Sequence, residues 1–514
     1  MAHRDRTAAQ PHQPPPPPAP GGPEATGEAA AGEPAFQGND RLLFGIVLGV
    51  ITFWLFAQTT LNIAPDMGTD LGLPATTMNI AVAITALFSG IFIVFMGGVA
   101  DRIGRLRVLQ LGLCLSIAGS LLVGFAPPGS LSAACLILGR ALQGLSAACI
   151  MPASLALIKT YWTGPARQRA ISIWSIGSWG GSGLCALFGG LVAQNLGWRA
   201  IFLVSVAVSI AGLLMIRGTP ESRARNMRDA KIDGFGIFAF MIAMICLQVV
   251  VTQGARLGWS SAPVLVLIAI ALVFGVLFLR HEARTSDALI DFALFRNRSY
   301  TGATISNFML NGVAGTLIVV MQLVQIGGNL TVQQAGMLTI GFAVTIIAFI
   351  RVGEKLLQRF GARKPMLWGC LITGMSVVLL SMTHTTLADY KLLACIGFAL
   401  QGIGLAFYAT PSTDAALSAL PENQAGSGAG IYKMASSLGG AFGVAISAAI
   451  FTAVRADTGG GPWLDGLIDF QGDQTLVPIR EAATLALMFN LCMIAVAAVA
   501  IMLTIPRTKE RQSA

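Results

Sequence analysis

A short charged segment separates two long apolar runs, residues 80–96 and 108–125. It places one carboxylate next to three arginines, with glycines on either side. Hydrogen bonds between charged groups are stronger than neutral ones, so these groups could hold helix ends together at a membrane surface. The alternative is a charged loop that only follows topology rules. The residues for which we expect a hinge or gating role are Gly97, Asp101, Arg102, Gly104 and Arg105.

A single arginine, Arg140, stands nine positions into another apolar run. At about 1.5 Å per residue this position is roughly 13 Å deep, near the centre of a bilayer. A charge there is expected to face a watery cavity or a partner. Gln143, Gln58 and Asn62 are predicted at similar depth, and with Arg140 they are candidates for a substrate cavity. The alternatives are an arginine bonded to backbone carbonyls and polar side chains that join helices.

Carboxylates are absent from the middle of every apolar run, although the chain has 24 Asp and Glu residues. A carboxylate that carries protons across a membrane must be reachable from such a cavity. Asp414 and Asp66, each near the end of a run, are the candidates, and a solvated carboxylate at a helix end is the alternative for both. No nucleophile–base or metal constellation appears, so we expect no enzyme activity and no cofactor.

The composition excludes soluble domains, because 54% of the 514 residues are hydrophobic and only 11% are charged. Fourteen runs are long enough to cross a bilayer. They predict an all-α membrane protein with spans near 42–64, 76–98, 107–125, 131–153, 168–192, 199–216, 234–253, 262–280, 300–323, 333–351, 366–383, 390–413, 427–453 and 482–504.

Basic residues set the predicted orientation. Of the 33 Lys and Arg residues, 26 fall in inner segments, five in outer loops, and Arg140 and Lys433 within spans. This bias predicts that both termini lie in the cytoplasm. We expect the membrane to be the plasma membrane.

The chain also repeats itself, since Gly139, Gln143 and Gly144 recur as Gly397, Gln401 and Gly402. Parallel repeats of six spans predict two lobes around a cavity. The predicted domains are a disordered Pro-rich tail, a first lobe, a linker with an inserted helix pair, a second lobe and a short tail, at 1–40, 41–216, 217–299, 300–506 and 507–514.

The fifth predicted span is rich in glycine, at three- and four-residue spacing. Small residues at this spacing let helix backbones approach closely, so Gly181, Gly189 and Gly190 are candidates for helix packing. The contact could permit the lobes to rock, or it could be a purely structural seam.

Several motifs together resemble the fourteen-span drug:proton antiporters of the major facilitator superfamily. They are the charged segment 97–105, Arg-Ala-Leu-Gln-Gly at 140–144, Asp-Gly-Phe-Gly at 233–236, the stretch 291–298 and Gly-Ser-Gly at 426–428. The resemblance implies two six-helix lobes that alternate access to a cavity, and a charged segment that meets residues 421–427 when the cytoplasmic side is shut.

The chain departs from that family pattern in two places. Ala57 and Gln58 stand where the first span usually carries an acid before Asn62, and residues 185–190 lack the usual Gly-Pro of the fifth span. The usual proton site therefore does not carry over.

The sequence favours a transporter that exports amphipathic drugs, driven by the proton gradient. The alternatives are an exporter or importer of one metabolite and a non-transporting receptor or scaffold. The expected partners are the lipid bilayer, a small amphipathic substrate and protons, with no nucleic acid, and a monomer is expected.

Overall fold

The computed structural model describes residues 36–224, 233–285, 292–456, 469–471 and 474–507. These ranges are helical and contain no strand, which confirms the predicted all-α class. The predicted Pro-rich tail lies almost wholly outside the described residues, as do Asp291 and residues 508–514.

Fourteen long helices follow one another in the described part of the chain, and we number them in chain order. Thirteen are long and apolar enough to cross a membrane. The other, α11, has 18 residues and begins with Arg363 and Lys364. They are α1 (Asp40–Leu71), α2 (Ala75–Ile103), α3 (Arg105–Gly124), α4 (Ser132–Tyr161), α5 (Gly164–Leu196), α6 (Trp198–Ile216), α7 (Gly234–Leu257), α8 (Ala262–Glu282), α9 (Arg298–Gly327), α10 (Gln333–Phe360), α11 (Arg363–Leu380), α12 (Leu387–Ala419), α13 (Ala425–Ala456) and α14 (Val477–Thr504).

Local sequence explains where several helices begin and end. The side chains of Asn39, Asp233 and Asn297 accept hydrogen bonds from the first free N–H groups of α1, α7 and α9. Gly104 separates α2 from α3 with φ +136°, a conformation that favours glycine.

Three of the long helices contain a π-helical segment. These are Thr52–Ala57 in α1, Ile176–Gly180 in α5 and Leu323–Gly327 in α9. A π segment inserts an extra residue into a turn and is found frequently at functional sites.

The helices pack as two groups of six. Helices α1–α6 pack against one another and form the first lobe, and α9–α14 form the second lobe. The lobes meet where α2 and α4 pack on α13, and where α5 packs on α10 and α12. The inserted helix α7 packs on α2 and α13, and α8, the least buried helix, packs on α7.

Consecutive helices run in opposite directions. Because their number is even, the start of α1 and the end of α14 lie on the same side of the bundle, which we call the tail face. It holds the start of α1, since the N–H of Gly38 bonds to the carbonyl of Tyr161 at the end of α4. It also holds the end of α14, where the carbonyl of Met502 accepts from Arg363 at the start of α11. The opposite side is the far face.

Candidate functional site

The charged segment lies at the tail face, against the second lobe. The buried carboxylate of Asp101 accepts the backbone N–H of Gly426 with both oxygens at 2.9 Å, and that of Ser427 at 2.9 Å. These N–H groups open α13 and have no partner within their own helix, and the positive end of the helix dipole favours a carboxylate there. Gly97 lets α2 approach, because a Cβ at this position would overlap the carbonyl of Gly426.

Arg105 completes this contact. Its Nε and Nη2 donate to Oδ1 of Asp101 at 3.0 and 2.8 Å, and Nη2 also donates to the carbonyl of Glu422 in the second lobe. Its Nη1 donates to Thr160 and, at 3.2 Å, to Ser222. We call Asp101, Arg105, Gly426 and Ser427 the tail-face latch. Arg102, the neighbouring candidate, is half-buried.

Sequence reasoning missed Glu221, in the segment that follows α6. Its carboxylate accepts the N–H groups of Leu106 and Arg107 at 2.9 and 3.0 Å and so caps the start of α3. The carboxylate also fills the space beside Gly104, where a Cβ would overlap it. Only a lone acid after an apolar run marked Glu221 in the sequence.

Asp414 forms a second contact between the lobes at the tail face. Its buried carboxylate lies 3.2 Å from Nε of Arg167 and 3.4 Å from Nε2 of Gln168, both on α5. Arg167 also donates to Ser418 on α12. The other predicted proton carrier, Asp66, is exposed near the far end of α1. The two acids therefore lie at opposite ends of the bundle.

Arg140 is only 1% exposed and lies inside the first lobe. Its Nη1 donates to the carbonyl of Ala57 at 2.8 Å and to Oε1 of Gln143 at 2.7 Å, and its Nε donates to the carbonyl of Ala81 at 3.2 Å. Gln143 in turn donates to Ser120 at 3.1 Å. The expected watery cavity is therefore not beside Arg140 in this structure, because backbone carbonyls of α1 and α2 surround its guanidinium.

The other two cavity candidates lie apart from that network. Gln58 is half-buried and Asn62 is exposed, with Nδ2 of Asn62 4.0 Å from Sγ of Cys185. The structure therefore brings Arg140 and Gln143 together in one hydrogen-bond network, whereas Gln58 and Asn62 of α1 are not among its described members.

The glycines of α5 have three different surroundings. Gly181 and Gly189 lie against Trp54 and Thr59 of α1, inside the first lobe. Gly183 faces the second lobe, where a Cβ would lie 3.2 Å from Cα of Ala343. Gly190 has open space, since a Cβ there would meet nothing within 4 Å.

Lys433, which the sequence analysis placed within a span without assigning it a role, lies on α13. Its side chain is 7% exposed, and its Nζ lies 4.9 Å from the ring centroid of Trp174 and 5.8 Å from that of Trp54. In the sequence Lys433 is a single cation within an apolar run, as Arg140 is.

Metal ligands are not assembled in the part of the chain that the structure describes. No group of three or more His, Cys, Asp or Glu residues lies close enough to hold an ion there. The eight cysteines are free.

Comparison with known proteins identifies similar sequences over nearly the whole chain. The family profile described as Major Facilitator Superfamily matches twice, at residues 44–302 and 299–514. Quinolone resistance protein NorB of Staphylococcus aureus (strain MRSA252) is 48% identical over 452 residues, covering 86% of this chain and 97% of the relative. NorB of strain COL is 46% identical over 478 residues, covering 93% and 98%.

Solved structures share the fold at low identity. The proton:xylose symporter XylE has a TM-score of 0.63 and 14% identity, covering 91% of this chain and 96% of XylE. The human organic anion transporter MFSD10 has a TM-score of 0.58 and 13% identity, covering 90% and 98%.

Proposed function

Because this chain belongs to the major facilitator superfamily, as its motifs predicted, we propose that it exports quinolones and related amphipathic drugs by alternating access. It is a multi-pass membrane transporter of the drug-efflux type and not an enzyme, which confirms those predictions. The observation that carries the quinolone proposal is the 48% identity to NorB across 97% of that relative.

The contacts between the lobes support alternating access. At the tail face they are polar and local, formed by the latch at Asp101 and by the pair of Arg167 and Asp414. Such contacts can break when the lobes rock and form again when the lobes return. Between α5 and α10 the contact is apolar and close, at Gly183 and Ala343. In our proposal α5 and α10 slide there while the tail face opens.

Energy and orientation are further parts of this proposal. The tail face lies in the cytoplasm, because the basic residues are concentrated in the segments assigned to that side. The protein works in the plasma membrane as a monomer, without a cofactor, and inward proton flow drives export. Asp414 and Asp66 remain the candidate proton carriers.

The test is accumulation of a fluoroquinolone in cells that lack their own efflux pumps. Cells expressing the chain should accumulate less drug than cells with an empty vector, and a protonophore should abolish the difference. Equal drug accumulation in cells that express the chain and in cells with the empty vector would contradict the proposed function, provided that the protein is shown to be in the membrane.

A further inference from the structure

Lys433 is a buried cation for which the described part of the chain supplies no counter-ion. Among the described residues no carboxylate lies within ion-pairing distance of its ammonium, whose described contacts are the indole rings of Trp174 and Trp54. A cation over an aromatic ring is stabilised, but by less than a full ion pair provides in a dry site. A lysine kept at membrane depth without a partner is expected to have one in another state of the protein.

The surroundings of Lys433 belong to both lobes. The lysine is on α13 of the second lobe, whereas Trp54 on α1 and Trp174 on α5 belong to the first. Trp54 lies within one π segment and Trp174 stands just before another. The ammonium therefore lies between the lobes, at turns of the kind that frequently mark functional sites. Rocking of the lobes would open and close this position.

One face of α1 leads from this position toward the far face. Trp54 and Gln58 are half-buried, whereas Asn62 and Asp66, each four positions further along, are exposed. Gln58, Asn62 and Asp66 stand in α-helical geometry, where this spacing puts side chains on the same face, and Trp54 precedes them in the π segment. The face becomes more polar and more open toward its end, as expected of a helix that lines an aqueous path.

The other cation at membrane depth does not compete for the same role. Arg140 donates to the carbonyls of Ala57 and Ala81 and to Gln143, all inside the first lobe. Lys433 has no described hydrogen bond, so its ammonium can donate to an incoming group.

We propose that Lys433, Trp54 and Trp174 form the subsite that binds the carboxylate of an aromatic substrate. The ammonium pairs with the carboxylate, and the two indole rings stack on the aromatic body. This inference rests on the proposed function for the substrate's aromatic, drug-like character, while the carboxylate follows from the unpaired charge of Lys433. It assigns specificity to amphipathic acids and zwitterions over esters of the same molecules.

The test is equilibrium binding to the full-length protein in lipid nanodiscs, with two pairs of probes. One pair is a fluoroquinolone and its methyl ester, and the other is 2-naphthoate and its methyl ester. Lys433→Met should weaken binding of both acids about 10- to 100-fold, the range expected for a lost charged hydrogen bond, and leave the esters unchanged. Lys433→Arg should retain acid binding.

The matched control is Lys364→Met. Lys364 also lies over an aromatic ring, 5.4 Å from that of Phe360, but it is exposed at the tail face. The Lys364→Met protein should bind all four probes with the same affinity as the wild type. Equal weakening of acids and esters by Lys433→Met, or no weakening of the acids, would overturn the subsite.

The naphthoate pair separates this inference from the proposed function. Binding of 2-naphthoate that depends on Lys433 supports the subsite even if cells fail to export a fluoroquinolone. If cells export the fluoroquinolone but Lys433→Met binds the acids as the wild type does, the subsite is overturned and the proposed function stands.

Discussion

The carboxylate of Asp101 on α2 accepts the N–H of Gly426, at the start of α13, with both of its oxygens at 2.9 Å. This contact joins the two lobes at the tail face. Arg105 of the same lobe pairs with the buried carboxylate of Asp101 at 2.8 Å, whereas the backbone N–H donors belong to the other lobe. The latch therefore combines an acceptor fixed in one lobe with a helix start that can move away from it.

We expect Asp101→Asn to reduce export at least about tenfold while the protein still inserts and folds. An amide cannot accept from both backbone N–H groups and from Arg105, and lost hydrogen bonds to a charged group weaken a contact by about 1.5–3 kcal/mol each. The measurement is drug accumulation in cells, normalised to the amount of protein in the membrane.

The control for this variant is Asp40→Asn. Asp40 also lies at the tail face and pairs with Arg169 at 2.7 Å, but the pair is exposed and within one lobe. Exposed pairs contribute about 0–1 kcal/mol, so export should persist. Wild-type export by a well-expressed Asp101→Asn would rule out the latch.

Asp414 and Arg167 should behave as one unit. If the two residues act only as a contact between the lobes, Asp414→Asn and Arg167→Gln should slow export to a similar degree. The double variant should then be no slower than either single variant, because each change removes their ion pair. Proton flux measured in vesicles on substrate addition then tests coupling. If Asp414 carries the proton, Asp414→Asn alone abolishes that flux. If the flux persists in Asp414→Asn, Asp66 becomes the remaining candidate.

Arg140 is expected to stabilise the first lobe rather than to select substrates. Arg140→Gln should lower the thermal stability of the purified protein, because it removes donors from buried acceptors, at about 1–3 kcal/mol for each unsatisfied group. Arg140→Lys should not restore it, since an ammonium supplies one donor nitrogen in place of two, Nε bonded to Ala81 and Nη1 bonded to Ala57 and Gln143. Unchanged stability with a selective loss of acid binding would contradict this assignment.

Adjacent glycines of α5 provide a test of helix packing. Gly189→Ala should destabilise the protein, because a Cβ there would overlap Thr59 on α1. Gly190→Ala should be neutral or slightly stabilising, since the site is open and alanine favours a helix by about 1 kcal/mol over glycine. Thermal unfolding of both variants checks the pair. If Gly189→Ala and Gly190→Ala destabilise the protein equally, the loss of stability does not come from overlap of the new methyl group at 189 with Thr59.

The helices were predictable from the sequence because hydrophobicity alone requires them in a membrane. The residues at which the helices end were harder to predict. The tenth span was predicted at 333–351, yet α10 continues to Phe360, because residues beyond the apolar run still favour a helix outside the bilayer core. The charged segment was also visible, since Asp101 and Arg105 stand out between two apolar runs.

Pairing across the chain was not predictable in the same way. Glu221 caps α3 from more than a hundred residues away, and only the folded chain shows that contact. The contacts likewise separate Arg140, bonded within its lobe, from Lys433, which lies between the lobes, although both are buried and both appear in the sequence as single cations in apolar runs. We found no sequence pattern that predicts the π segments in α1 and α5.

We propose that the lobes part at the tail face and that Asp101 holds them together there. Spin labels at residues 166 and 355, exposed at the tail ends of α5 and α10, would measure the distance between the lobes by double electron–electron resonance once the native cysteines are replaced. We expect one short-distance population in the wild type, and a second, longer population when Asp101→Asn is introduced. Identical distance distributions in the two proteins would contradict the account.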